Sequence, residues 1–118
     1  YNTTAEKPSV FKAGKILEKA EKSQAIIAIC MQRDPNESLP EWEEIAATAM
    51  AVQNMWLMAH DMKIGAYWSS PSFISHLGDH VPLNEGERCL GFFYMGKYDG
   101  TLPQGERNTT IEEKTSWI

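Results

Sequence analysis

Glu41-Trp42-Glu43-Glu44-Ile45-Ala46-Ala47-Thr48-Ala49-Met50-Ala51-Val52-Gln53-Asn54-Met55-Trp56-Leu57-Met58-Ala59, running on through Ile64-Gly65-Ala66-Tyr67-Trp68-Ser69-Ser70-Pro71, is the stretch on which the fold turns. From Ile45 to Met58 only Thr48, Gln53 and Asn54 are polar. The apolar surface is therefore wider than the stripe of an ordinary surface helix, and such a helix must be covered on nearly every side. It is too short and too interrupted to span a bilayer, which takes ~20 predominantly apolar residues. Burial inside protein is the better reading. A domain of 118 residues cannot easily wrap a helix completely, because small domains leave much of their surface in water. The cover is expected to come from a second subunit, with large side chains such as Met55 and Trp56 in a two-fold interface, or from a missing half of the domain. The plain alternative is the core helix of a compact monomer.

The local signals bound this helix. Arg33-Asp34-Pro35-Asn36-Glu37-Ser38-Leu39-Pro40 is a polar loop dense in turn formers. Ser38 is placed to act as N-cap, Pro40 suits the first turn, and Glu41, Glu43 and Glu44 complement the helix dipole. The helix is expected from near Leu39 to near Lys63, with Gly65 as its stop.

Working outward, Pro8 to Glu21 carries Val10, Phe11, Ile16, Leu17 and Ala20 at helical spacing, with Lys12, Lys15, Lys19 and Lys22 on the other side. The run Gln24 to Met31 is short, apolar and rich in β-branched residues, which predicts a strand covered on both faces and central in its sheet. Ala66 to Ser69 predicts a brief extended segment. Pro71 to Leu77 predicts one or two helical turns, capped by Ser70 and closed by Gly78. Cys89 to Gly96 predicts a second strong strand, in which Gly91 and Gly96 mark places where a backbone or a ligand comes close. Tyr98 to Asn108 is a Gly/Pro-containing loop, and Thr110 to Ile118 a short amphipathic ending. There is no internal repeat or low-complexity tract.

The bulk numbers exclude several classes. Hydrophobic residues at 42% and charged residues at 23% are ordinary for a globular domain. A net charge of -5 and a pI near 5.1 argue against general binding to nucleic acid or anionic membranes, which needs clustered positive charge. Cys30 and Cys89 are far apart without a CxxC companion, so neither a disulfide framework nor a zinc site is supported, and both are expected to be buried thiols in a reducing, cytoplasmic setting. The opening residues show neither a signal peptide nor a spanning segment, and a chain starting at Tyr1 reads as processed or as a fragment. The sequons at Asn2, Asn36 and Asn108 are read as chance.

Conventional chemical motifs fail one by one. His60, Asp61, His76, Asp79 and His80 tempt as metal ligands, yet Gly78 is expected to break the helix between His76 and His80, and no HExxH or third ligand at a defined spacing exists. No metal site is assigned. Ser69, Ser70, Ser72 and Ser75 lack a GxSxG elbow and a recognisable His/Asp partner. No P-loop or GxGxxG is present.

What remains is an ordered set of segments: Pro40-Glu41-Trp42-Glu43-Glu44 opening the helix, Gln53-Asn54 within it, Ile64 to Pro71 after it, Glu87 to Gly96 as the strand, and a tail loop with Arg107. In that order they resemble the flavin-dependent nitroreductase family, over roughly Ser23 to Ile118. The resemblance implies an α+β sandwich, its mixed or antiparallel sheet flanked by helices, assembled as a homodimer through the long helix. Residues 1–118 would form the C-terminal portion of one such domain. The Arg-x-Ser type motif that the family carries near its N-terminus to hold the flavin phosphate is not in this chain. The resemblance further implies FMN as cofactor, NAD(P)H as electron donor, and a ping-pong transfer of two electrons to a small-molecule acceptor such as a nitroaromatic or quinone. The stretch Trp68, Ser69, Ser70 would pass the flavin ring edge, offering backbone N–H groups; Ser70 would in addition, or instead, cap the next helix. Arg107, with Lys97 as second choice, would serve the FMN phosphate, and no catalytic side chain is named. The competing readings are a non-enzymatic flavin or small-ligand binding module of the same fold, and an interaction domain without cofactor.

Overall fold

In the computed structural model, residues 10–101 and 105–118 are described. The expected helix start at Pro8 and the sequon at Asn2 lie outside them. The elements follow in the order α1 (Val10–Lys22), β1 (Ala25–Gln32), α2 (Glu41–Asp61), β2 (Gly65–Ser69), a 3₁₀ helix (Ser72–Asp79), β3 (Glu87–Gly96) and a single 3₁₀ turn (Glu112–Lys114).

The three strands form one antiparallel sheet in the order β1-β3-β2. Among the described residues the central strand is thus β3, and β1 lies at an edge, against the expectation from its apolar run. The first four residues of β1, Ala25 to Ala28, are exposed. A run of β-branched residues marks a strand but does not say what covers it, and here nothing among the described residues covers that end.

Alternation along β3 sorts the side chains into two layers. Phe93, fully buried, forms the core with Ile29 and Val52, and Met55, Ala66, Trp68, Leu90 and Met95 pack against it. On the other face Tyr94 stacks on Tyr67 with centroids 5.2 Å apart, Phe92 meets Phe73 of the 3₁₀ helix at 6.0 Å, and the Lys19 ammonium of α1 sits 5.3 Å above the Tyr67 ring. The sheet therefore lies between α2 on one side and α1 with the 3₁₀ helix on the other. This is the expected α+β sandwich.

The ends of α2 differ from the sequence expectation in instructive ways. The helix starts at Glu41 rather than Leu39, because Pro40 is extended and no side chain caps it. Ser38, expected as the cap, instead gives its backbone N–H to Asp34 Oδ2 at 3.0 Å. Asp34 organises this turn, accepting from the N–H of Asn36 as well, and these bonds hold its carboxyl below the usual carboxylate range. Glu44 ties the loop to the helix, accepting from Arg33 at 2.7 Å and from the Asp34 N–H at 2.9 Å. At the far end the stop is made by Lys63, not Gly65. Lys63 takes a left-handed conformation with φ 57, its N–H bonds to the His60 carbonyl and the Ile64 N–H to the Ala59 carbonyl. That is the Schellman arrangement.

Val52 and Ala59 are buried in the sheet-facing stripe of α2, and Met55 and Trp56 lean on the same sheet, Trp56 edge-on to Phe93 at 5.6 Å. Met55 is half-buried against its own chain's core, whereas Trp56 keeps 37% of its surface exposed beside the sheet. The bare apolar surface is Met50, Leu57 and Met58, 64%, 59% and 60% exposed. No helix of the described residues is long and apolar enough to cross a membrane.

Two further expectations need correction. Gly78 does not interrupt the helix after Pro71; the segment continues to Asp79 as a 3₁₀ helix, whose three-residue turn sets His76 Nδ1 3.4 Å from the Asp79 carboxylate. The C-terminal ending, expected as amphipathic, has no buried residue. Only Glu112–Lys114 turns, and Trp117 and Ile118 are exposed, since one short turn repays little of the cost of nucleating a helix.

Candidate functional site

β2 leaves the sheet at Ser69, and Ser70-Pro71 leads straight into the 3₁₀ helix. Among the described residues β2 is an edge strand paired on one side only, by β3. An edge strand presents a row of backbone N–H and C=O groups with no ladder partner. The end of this edge is held by packing: Trp68 turns inward and packs against the Ile29, Val52 and Phe93 cluster.

Gly91 explains how Trp68 gets there. A Cβ at position 91 would fall well inside contact distance of the Trp68 indole nitrogen and 2.8 Å from the Ser69 carbonyl oxygen. Only a residue without a side chain lets β2 and the Trp68 ring come this close. The close approach expected at Gly91 is thus with the Trp68-Ser69 segment itself. Gly96 is crowded in the same way by Gln24 Oε1 and the Lys22 carbonyl.

Ser69 is half-buried and Ser70 exposed. The expected cap by Ser70 does not form: Pro71 is the N-cap residue and no side-chain bond satisfies the helix start. Neither serine hydroxyl has a hydrogen-bond partner among the described residues. Polar groups that neither cap nor pair are what a polar ligand edge needs.

The expected phosphate cations stand elsewhere. Lys97 follows β3 at the end where Gly65 pairs Gly96, whereas Ser69 pairs Phe92. At ~3.4 Å per residue the two positions are separated by the length of the β2 ladder. Lys97 joins Lys19, Lys22, Tyr67 and Tyr94 around a shallow depression of about 290 Å³, and its N–H bonds to Gln24 Oε1 at 2.5 Å. Arg107, exposed, borders a separate depression with Asn108 to Ile111 and Lys114. Neither cation has an acidic partner among the described residues.

A third cleft, about 450 Å³, opens between the 3₁₀ helix and the start of β3, lined by Ile74, Ser75, Gly78, Leu83 and Glu87 to Leu90. Sequence reasoning missed it, because it is made by a loop folding back over a strand end and has no local signature. The titratable groups near the sheet are shifted by simple causes. Burial pushes the Tyr67 and Tyr94 hydroxyls up, and it does the same to the Cys30 thiol, with Cys89 and Glu87 adding to the rise. Among the described residues no group of three His, Cys, Asp or Glu is placed to hold a metal ion.

Comparison with known proteins bears on this geometry. The description "Nitroreductase family" belongs to the family profile that matches residues 2–97. Among solved structures, a nitroreductase-like family protein from Bacillus cereus superposes with a TM-score of 0.74 at 31% identity, covering 92% of this chain and 58% of that one. This chain therefore spans little more than half the length of that protein. Curated proteins give no match. Matched by the profile over most of its length, and by fold over nearly all of its sheet and helices, the chain belongs to the Nitroreductase family.

Proposed function

We propose that this chain is the C-terminal portion of an FMN-dependent NAD(P)H oxidoreductase that passes two electrons to nitroaromatic, quinone or related acceptors. The observation that carries the reading is the edge of β2 ending at Ser69 and Ser70, open on the side away from β3 among the described residues and held in place by Trp68 against Gly91. Family membership makes a flavin the group to test against that edge.

The residues present fit the ring end of FMN better than its phosphate end. Trp68, Ser69 and Ser70 would hold the ring edge through backbone N–H groups; Arg107, or else Lys97, would meet the phosphate, with further ligands from the rest of the domain or from a second subunit. When bound, FMN supplies the two-electron carrier between NAD(P)H and the acceptor. The protein's share is to orient and to stabilise charge, so no side-chain acid or base is assigned.

Two expected outcomes test the reading. In the full-length protein Arg107→Ala should weaken FMN binding by about one to two decades, since a hydrogen bond to a charged partner is worth ~1.5–3 kcal/mol. An unchanged FMN dissociation constant by fluorescence titration removes Arg107 from the site. FMN bleaching on addition of NAD(P)H separates the oxidoreductase from a flavin-binding module without turnover.

A separate outcome concerns assembly. Met50, Leu57 and Met58 form the exposed apolar side of α2, and we propose that it is covered in a homodimer. Obligate interfaces are large and hydrophobic, and an unpaired carboxylate buried in one costs several kcal/mol. Leu57→Glu is expected to convert the dimer to monomer in sedimentation velocity while far-ultraviolet circular dichroism stays native. A variant that sediments as the parent does places the interface elsewhere.

A further inference from the structure

Cys30 and Cys89 are distant in sequence, and the fold sets them directly opposite each other on β1 and β3. Opposed residues of an antiparallel pair point to the same face with Cα atoms about 4.5–5.5 Å apart. A disulfide spans ~4.4–6.8 Å between Cα atoms, so the backbone is already within its reach. The pair lies at the register shift between Ile29 and Cys30, where Leu90 has no partner in β1, a bulge that locally increases twist. Both thiols are free, and Cys89 Sγ donates to the Gly91 carbonyl at 3.2 Å. Cys89 also lines the 450 Å³ cleft beside the 3₁₀ helix, which gives a small reagent an approach to an otherwise buried sulfur.

We propose that Cys30 and Cys89 form a reversible cross-strand disulfide site, closed by exchange with a low-molecular-weight disulfide that enters through this cleft. The chemistry balances without any other oxidant. One cysteine loses its proton to solvent and attacks a sulfur of the reagent RSSR; the reagent's S–S bond breaks, and the departing thiolate takes up a proton. The second cysteine, deprotonated in turn, attacks the protein sulfur of the mixed disulfide, the Sγ–Sγ bond forms, and a second RSH leaves. Two electrons and two protons pass from the thiol pair to the reagent, giving one protein disulfide and two RSH.

Closing the bond takes the Cys89 donor away from the Gly91 carbonyl. Gly91 is the residue over which Trp68 and Ser69 are packed, so the state of the pair reaches the end of β2 whatever ligand binds there.

The test uses the full chain, incubated natively with excess oxidised glutathione at a pH of about 9, above the ordinary thiol range to offset the burial that raises Cys30, then alkylated and digested without reduction. The expected result is a Cys30–Cys89 linked peptide, lighter by two hydrogens than its separate parts and released by dithiothreitol. Cys30→Ser and Cys89→Ser should each abolish the link, leaving at most a glutathione adduct on the remaining cysteine. Two alkylatable thiols persisting in the treated native protein would overturn the proposal. So would glutathione adducts on single cysteines without the internal link, or a link that forms only in denaturant.

Discussion

Gly91→Ala is expected to lower the unfolding free energy by about 3 kcal/mol, at the upper end of the usual cost of overpacking a core. The added methyl meets the Trp68 indole and the Ser69 carbonyl together. The indole could give way only by leaving the cluster of Ile29, Val52 and Phe93, and the carbonyl belongs to a strand already paired to β3. Either escape disturbs the segment proposed to line the flavin edge. The same variant should therefore lose near-ultraviolet circular dichroism from its tryptophans and hold FMN more weakly. Gly14→Ala provides the contrast: nothing lies within 4 Å of its added methyl, and it sits inside α1. There the change should stabilise by about 0.5–1 kcal/mol through helix propensity. Chemical denaturation of both variants decides the matter, and a Gly91→Ala protein as stable as the parent would show that Trp68 is not locked against this strand.

That glycine illustrates what the chain displays openly. An isolated Gly inside an otherwise bulky strand signals close approach, and both Gly91 and Gly96 meet neighbours that would crowd a side chain. The long helix was legible to within two residues at each end because apolar runs and turn formers are local. The contacts that fix those ends were not, since the carboxylate of Asp34 holds the turn before the helix and the left-handed backbone of Lys63 stops it, neither of which composition encodes. The direction of α2 was also hidden. An all-round apolar helix does not declare which stripe faces its own sheet, and Val52, Met55 and Ala59 went inward while Met50, Leu57 and Met58 stayed out. Strand order and register are tertiary properties, which is why β1 turned out to be an edge and why Cys30 met Cys89. The proposed site was legible only in part: Trp68, Ser69 and Ser70 follow one another along the chain, whereas Lys97 and Arg107 border separate depressions that the sequence could not set apart.

Ser70→Pro is expected to slow reduction of bound FMN by NAD(P)H by roughly 10–100-fold, while Ser69→Ala and Ser70→Ala leave it nearly unchanged. The reasoning starts from the backbone. Proline removes the N–H at position 70 and disfavours part of the conformational range of residue 69. Ser69 ends β2, in the extended region that a following proline leaves open, so the restriction on residue 69 does not oppose the chain path. The hydroxyls, by contrast, cap nothing, and their removal costs no internal hydrogen bond among the described residues. Loss of one preorganised donor at a developing negative charge costs ~10²–10³-fold in rate. Charge spread over a flavin ring places less of it on any one donor, which lowers the expectation to the range given. Stopped-flow reduction of the three full-length variants, each first saturated with FMN, separates binding from chemistry. If the two alanine variants fail as badly as the proline variant while still holding FMN, the hydroxyls and not the main chain carry the contact. If all three reduce at the parent rate, the end of β2 does not touch the ring at all.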